Sequence, residues 1–166
     1  MDRLWAPWRS KYISSLGRKT KGCTFCAIYR QRSDRENYIF ARNKHAFAVL
    51  NIYPYNNGHC LVVSRRHVNE ISKLKRAEKL DLIELLEETK KILDKTLKPI
   101  GYNIGINLGR IAGAGFPGHL HIHIVPRWSG DVNFMPVVGE AKVLSQSLDA
   151  LFQKIEKCAH VKKSKR

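Results

Sequence analysis

Three histidines alternate with aliphatic residues in His119-Leu120-His121-Ile122-His123-Ile124-Val125, and Pro126-Arg127-Trp128 closes the run. A period of two is a strand period, so the three imidazoles share one face while Leu120, Ile122 and Ile124 turn into a core. The run is entered from Gly113-Ala114-Gly115-Phe116-Pro117-Gly118. Such a loop lets backbone N–H groups approach an anion closely, because few Cβ atoms stand in the way. Imidazoles in a row beside an anion cradle point to metal chemistry or to phosphorus chemistry. A single histidine on a strand is usually an ordinary surface or core residue; three in alternation beside a glycine loop are not accounted for that way. For phosphorus, a neutral imidazole can attack and form a covalent intermediate, splitting one hard displacement into two easier ones.

A second constellation is Cys23-Thr24-Phe25-Cys26. Thiolate and imidazole together suit tetrahedral zinc, so a Cys-x-x-Cys pair with two distant histidines is one reading. The pair by itself leaves a redox couple or plain buried thiols open. Cys60 and Cys158 fall outside it and read as inert core thiols.

These groups sit in a chain of 166 residues, a length expected to form one domain over 1–166 with a proper core. No stretch of apolar residues is long enough to span a bilayer, and no secretory leader is recognisable. Four cysteines in that context argue for reduced thiols or metal, and the expected compartment is the cytoplasm. Thirty Lys+Arg against 14 Asp+Glu give a net charge of +16, which favours anionic partners. The basic residues are scattered, with no basic–aromatic stripe, and Lys162-Lys163-Ser164-Lys165-Arg166 reads as a frayed tail within 160–166. That leaves nucleic acid only weak, non-specific binding through charge.

The elements that must position the histidines follow from patterning. Residues 1–22 are irregular, and Trp5 and Trp8 need a surface to lie on. A short helix is expected over 27–32 and strands over 38–41 and 46–50. A turn-rich loop over 51–58 and a strand over 59–64 come next. A long helix over 75–97 carries Ala77, Leu80, Ile83, Leu86, Leu93 and Leu97 as its apolar stripe. Leu82 and Leu85 widen that stripe, which predicts a dimer contact through the helix. A strand over 102–108, the histidine strand and a helix over 140–158 complete the chain. Neighbouring strands joined by short turns, with one long helix inserted, make an α+β fold with an antiparallel sheet.

The pattern His-φ-His-φ-His-φ-φ from His119 to Val125 resembles the signature of the histidine triad (HIT) family. The resemblance runs from about Cys23 to Trp128 and takes in the strand from His59 to Arg66-His67. Leu4-Trp5-Ala6-Pro7-Trp8-Arg9 and Pro126-Arg127-Trp128…Gly130-Asp131…Asn133-Phe134 are similar to a branch that cleaves diadenosine tetraphosphate by phosphorolysis. The resemblance implies a HIT-like sheet of about five strands, a long central helix and a C-terminal helix; the homodimer is expected from the stripe of the long helix. It implies His121 as the nucleophile on an α-phosphorus, His123 on the phosphate and leaving group, and His59 near the phosphates. Asn51 and Asn107 correspond to contacts with ribose and phosphate, and Phe25 and Ile52 to a base pocket. Ala114, Gly115, Phe116 and Pro117 correspond to the phosphate-contacting loop; many members hold glutamine and a hydroxyl residue where Gly115 and Phe116 stand, so side-chain phosphate contacts are lost. It also implies a structural Zn²⁺ on Cys23, Cys26, His67 and His119, and no organic cofactor. The expected activity is cleavage of dinucleoside polyphosphates, by phosphorolysis or hydrolysis. A nucleoside phosphoramidate or adenylyl-ester hydrolase and a non-catalytic nucleotide-binding module are the alternatives.

Overall fold

The computed structural model describes residues 22–131 and 144–160. Five strands, β1 (Ile39–Arg42), β2 (Ala46–Leu50), β3 (Cys60–Ser64), β4 (Gly101–Gly105) and β5 (His121–Arg127), form one antiparallel sheet in the order β1-β2-β3-β5-β4. Three helices accompany it: α1 (Thr24–Gln31), α2 (Arg76–Leu97) and α3 (Leu148–His160). The α+β class, the five strands and the long central helix agree with the sequence reading.

The middle strands explain why the sheet forms. Every residue of β2 (AFAVL) and β3 (CLVVS) is buried, as expected of apolar strands covered on both faces. Ala46, Ala48, Leu50, Cys60 and Val62 face α2 and α3, joining Leu120, Ile122 and Ile124 in the larger core. Phe47, Val49, Leu61 and Val63 face the other way, against Phe25 of α1 and Ile39. The period-two reading of the histidine run therefore holds, with its aliphatic residues on the helix side. α3 is fastened by Tyr38, whose hydroxyl donates to Asp149 Oδ1 at 2.6 Å and whose ring meets Phe152 at 5.6 Å.

α2 corrects the expected stripe. Its buried positions are Glu78, Leu82, Leu85, Thr89, Ile92 and Leu93, spaced alternately by four and three until the last pair. Leu80 and Ile83, assigned to the stripe from sequence, are each 57 % exposed. The phase was hidden because two of the inward positions are polar. Glu78 is drawn in by Arg66, with Nε and Nη2 at 2.8 and 2.7 Å from its carboxylate, and its side chain caps the Lys75 backbone N–H at 2.7 Å. Leu82 and Leu85 consequently belong to this chain's own core and offer nothing to a partner.

Three boundaries also move. α1 starts at Thr24, with Cys23 as its N-cap residue and Cys26 in its first turn. β4 ends at Gly105, before the expected 108, and α3 begins at Leu148. Trp5, Trp8, Asn133, Phe134, the first four residues of the expected 140–158 helix and the basic tail after His160 lie outside the described residues. Among the described residues no helix is long and apolar enough to cross a membrane.

Candidate functional site

Strand register assembles the histidines. In the β3–β5 pair, His123 lies opposite Leu61 and His121 opposite Val63. His59 immediately precedes β3, which brings it beside His123 and sets His59 Nε2 2.9 Å from His123 Nδ1. His119 lies two residues before β5, at the end where β3 leaves the sheet towards His67.

The hydrogen bonds around each ring assign its tautomer. His121 Nδ1 donates to its neighbour's carbonyl, His119 O, at 2.7 Å. Its proton is then on Nδ1 and its lone pair on Nε2. His59 Nδ1 accepts the Tyr55 backbone N–H at 2.9 Å and receives the Asn51 carboxamide at 3.2 Å. The His59 proton therefore sits on Nε2 and donates to His123 Nδ1. That leaves the His123 proton on its own Nε2, a buried nitrogen with no hydrogen-bond partner among the described residues. One face thus offers an imidazole lone pair next to an imidazole N–H, which suits attack at phosphorus with a hydrogen bond donated to a departing oxygen.

Burial adjusts the acidity in the same sense. It lowers His121 below the ordinary histidine value, against an opposing hydrogen bond to His119 O. Burial, with His121 alongside, brings His123 down to about 4. Both rings are consequently neutral at neutral pH.

His119 belongs to a different cluster, although it stands in the same run. Its Nε2 donates to Ser64 O at 2.6 Å, so Nδ1 is bare. That Nδ1 lies 3.1 Å from Cys23 Sγ, 3.6 Å from Cys26 Sγ and 3.2 Å from His67 Nδ1, with Cys26 Sγ 3.5 Å from His67 Nδ1. All four donor atoms lie within 4.8 Å of one another. A tetrahedron with Zn–S about 2.3 Å and Zn–N about 2.0–2.1 Å sets neighbouring donors about 3.3–3.8 Å apart, so the observed spacing fits that ion. The Ser64 hydrogen bond is the outer contact that such a ligand histidine needs to aim its other nitrogen.

The remaining sequence candidates divide. Phe25 is 4 % exposed and packs its ring on Phe116, His121 and His119 at 4.9, 5.2 and 5.4 Å. It forms the floor beside the histidines. Asn51 is brought to His59, and its Oδ1 also accepts the Tyr53 N–H at 2.9 Å. Ile52 is 46 % exposed on the loop between β2 and β3. Asn107 is directed to its own loop, donating weakly to Gly113 O at 3.4 Å. Ala114 is buried, Gly115 exposed, and Phe116 O accepts the His119 N–H at 3.2 Å, which links the glycine loop to the triad.

Two features of the site escaped the sequence reading. Tyr55 lies over the histidine pair, its ring 4.7 Å from His59 and 5.8 Å from His123, nearly parallel to the latter at 17°. Asn56, 6 % exposed, clamps the loop that carries Tyr55 by donating to Pro126 O at 3.0 Å and Asp131 Oδ2 at 2.7 Å. Arg127 grips the same Asp131 carboxylate with Nε and Nη2 and holds its pKa well below the usual carboxylate range. An aromatic and an asparagine in a Pro-Tyr-Asn-Asn-Gly turn were the available signal, and they look like ordinary turn residues.

Comparison with known proteins follows the same lines. The profile of the HIT domain family matches residues 32–130. An AP-4-A phosphorylase of Mycobacterium tuberculosis is 38 % identical over 154 residues, covering 89 % of this chain and 79 % of that protein. The asymmetrical bis(5'-nucleosyl)-tetraphosphatase of Schizosaccharomyces pombe is 34 % identical over 104 residues, 63 % of this chain and 57 % of that one. Among solved structures, a hypothetical histidine triad nucleotide-binding protein of Sulfolobus tokodaii superposes with a TM-score of 0.68 at 26 % identity, covering 85 % of this chain and 94 % of its own.

Proposed function

This chain belongs to the HIT domain family, and from that premise we propose that it cleaves dinucleoside polyphosphates of the diadenosine tetraphosphate type through a nucleotidyl-histidine on His121. The observation that carries the reading is the pair of fixed tautomers: His121 Nδ1–H tied to His119 O leaves Nε2 as a nucleophile. His123 Nε2–H stands beside it as the donor. His121 Nε2 attacks the α-phosphorus, and the bond from that phosphorus to the bridging oxygen breaks. The departing polyphosphate nucleotide leaves as an anion, its oxygen accepting a hydrogen bond from His123 Nε2–H, which His59 and Asn51 hold in register. A second acceptor, phosphate or water, then displaces the nucleotidyl group and frees His121. Within the glycine loop the N–H groups of Gly115 and Phe116 serve the charged oxygens, those of Gly113 and Ala114 being bonded to Arg110 O and Gly109 O. The names of the Mycobacterium and Schizosaccharomyces relatives support the substrate class, and the former favours phosphate as acceptor.

Zn²⁺ on Cys23, Cys26, His67 and His119 is part of the proposal, as a structural ion with four protein ligands. Burial and the adjacent Cys23 thiol push the Cys26 thiol above its ordinary value, so a cation is needed to hold it as thiolate. The ion would tie α1 to the entry of the catalytic strand. A homodimer is also proposed; the exposed Leu80 and Ile83 on the outer face of α2 support it in place of Leu82 and Leu85.

The test is product analysis with diadenosine tetraphosphate, with and without inorganic phosphate, alongside His121→Ala. ADP plus ATP only with phosphate means phosphorolysis; AMP plus ATP without it means hydrolysis. In either case His121→Ala abolishes turnover while nucleotide binding persists. Absence of product under both conditions overturns the dinucleotide reading and redirects the search to phosphoramidates.

A further inference from the structure

The loop between β2 and β3 presents an aromatic ring that the chemistry above does not use. Tyr55 is 54 % exposed, although its inner face is occupied by two imidazoles. Rings follow one another across this face: Phe25 lies 5.2 Å from His121, His121 5.0 Å from His123, and His123 5.8 Å from Tyr55. The two ends of that row differ. Phe25 is 4 % exposed and walled in by Phe116, whereas Tyr55 keeps its outer side open.

An exposed aromatic side chain is usually mobile, but this one is held. Its backbone N–H is bonded to His59 Nδ1, its neighbour Asn56 is buried and clamped to Pro126 and Asp131, and Asn57 Oδ1 accepts from Gln146 ahead of α3. Little ordering entropy remains to be lost when a flat ligand settles on the ring.

Position selects the ligand. In a displacement at phosphorus the leaving oxygen departs roughly in line with and opposite to the attacking atom. With His121 attacking and His123 serving the leaving group, the departing nucleotide passes on the His123 side, where Tyr55 stands. Bases stack on aromatic rings whatever their identity, since every base has a π face.

We propose that the Tyr55 ring is the stacking platform for the nucleobase of the leaving nucleotide, and so the element that distinguishes a dinucleoside polyphosphate from a mononucleoside one. The proposal rests on the dinucleotide reading given above for this site.

Binding, measured apart from turnover, tests it. The full chain carrying His121→Ala is titrated with diadenosine tetraphosphate and with adenosine 5'-tetraphosphate, which has the same phosphates but lacks the second nucleoside. Adding Tyr55→Leu is expected to weaken the dinucleotide about ten-fold and the mononucleotide less than about two-fold; Tyr55→Phe, which keeps the ring, restores the dinucleotide affinity. Equal weakening of both ligands means that Tyr55 acts only by propping His59 and His123, and it overturns the proposal. So does an unchanged dinucleotide affinity in Tyr55→Leu, or no preference for the dinucleotide in the His121→Ala chain. Turnover of the unmodified chain is recorded separately: a protein that binds both ligands but cleaves neither fails the catalytic reading, while the affinity ratio still decides Tyr55.

Discussion

Two backbone groups decide what the reacting imidazoles can do. The His119 carbonyl fixes the proton of His121, and the Tyr55 N–H fixes, through His59, the proton of His123. Neither is visible as a side chain, yet each converts a generic imidazole into a nucleophile or a donor. The same arrangement makes stability depend on pH. His123 titrates at about 4 in the folded chain, against about 6.5 for an unfolded histidine. Between those values the unfolded chain binds more protons, so stability rises with pH. His123's contribution is fully present above about pH 6.5 and is lost as pH falls towards 4. Thermal melts of the parent chain and His123→Asn across pH 4–7 check this: the parent's slope in that window should exceed the variant's. Parallel curves would show that His123 is not buried neutral.

At the scale of elements, the loop from Asn51 to Gly58 does more to build the site than either strand it joins. It delivers Asn51, Tyr55 and His59, and it is held by Asn56 against the end of β5. Gly58 is the hinge of that geometry, with φ +76° and no room for a side chain: a Cβ there would meet Leu97 Cδ1 at 2.5 Å and Pro126 Cγ at 3.0 Å. Leu97 can give way; the proline ring cannot easily do so. Gly58→Ala is expected to destabilise the fold by about 1–3 kcal/mol and to reduce turnover further by displacing His59. Denaturant midpoints, with the slope unchanged, measure the first effect. A midpoint equal to the parent's would show that the loop tolerates an ordinary residue. The long helix α2 has the simpler task of covering the opposite face of the sheet. Its phase is set by Leu82, Leu85, Ile92 and Leu93, with Glu78 and Thr89 filling the remaining inward positions.

For the molecule as a whole, the proposed zinc ion is the link between parts distant in sequence. Cys23 is the N-cap residue of α1 and Cys26 lies in its first turn, His67 follows β3, and His119 precedes β5. An ion binding only the folded chain stabilises it by about 4 kcal/mol when present at a thousand times its dissociation constant. Elemental analysis should return one zinc per chain, and chelation should lower the melting temperature, as should Cys26→Ser. A metal-free protein whose melt is indifferent to chelator would remove zinc from the description. The net charge of +16 favours anionic ligands from a distance but, being scattered, does not define a second site.

The sequence alone determined the class of fold, the family and which histidines share a strand face. These rest on periodicity and on local adjacency: alternation puts His121 and His123 together on one side of a regular strand. The Cys23–Cys26 pair stood out as a motif, while its partners His67 and His119 came from the resemblance to the HIT family and are brought to it by the fold. Tertiary structure decided the rest. It divided the histidine run between two clusters, His119 turning to the cysteines through its bond to Ser64 while His123 meets His59 and Tyr55 and His121 packs on Phe25. It set the phase of α2, where polar Glu78 and Thr89 disguise an inward stripe. It recruited Tyr55 and Asn56 from what read as a plain turn. Each of these depends on which atoms meet across strands and loops distant in sequence, and such contacts have no period to read.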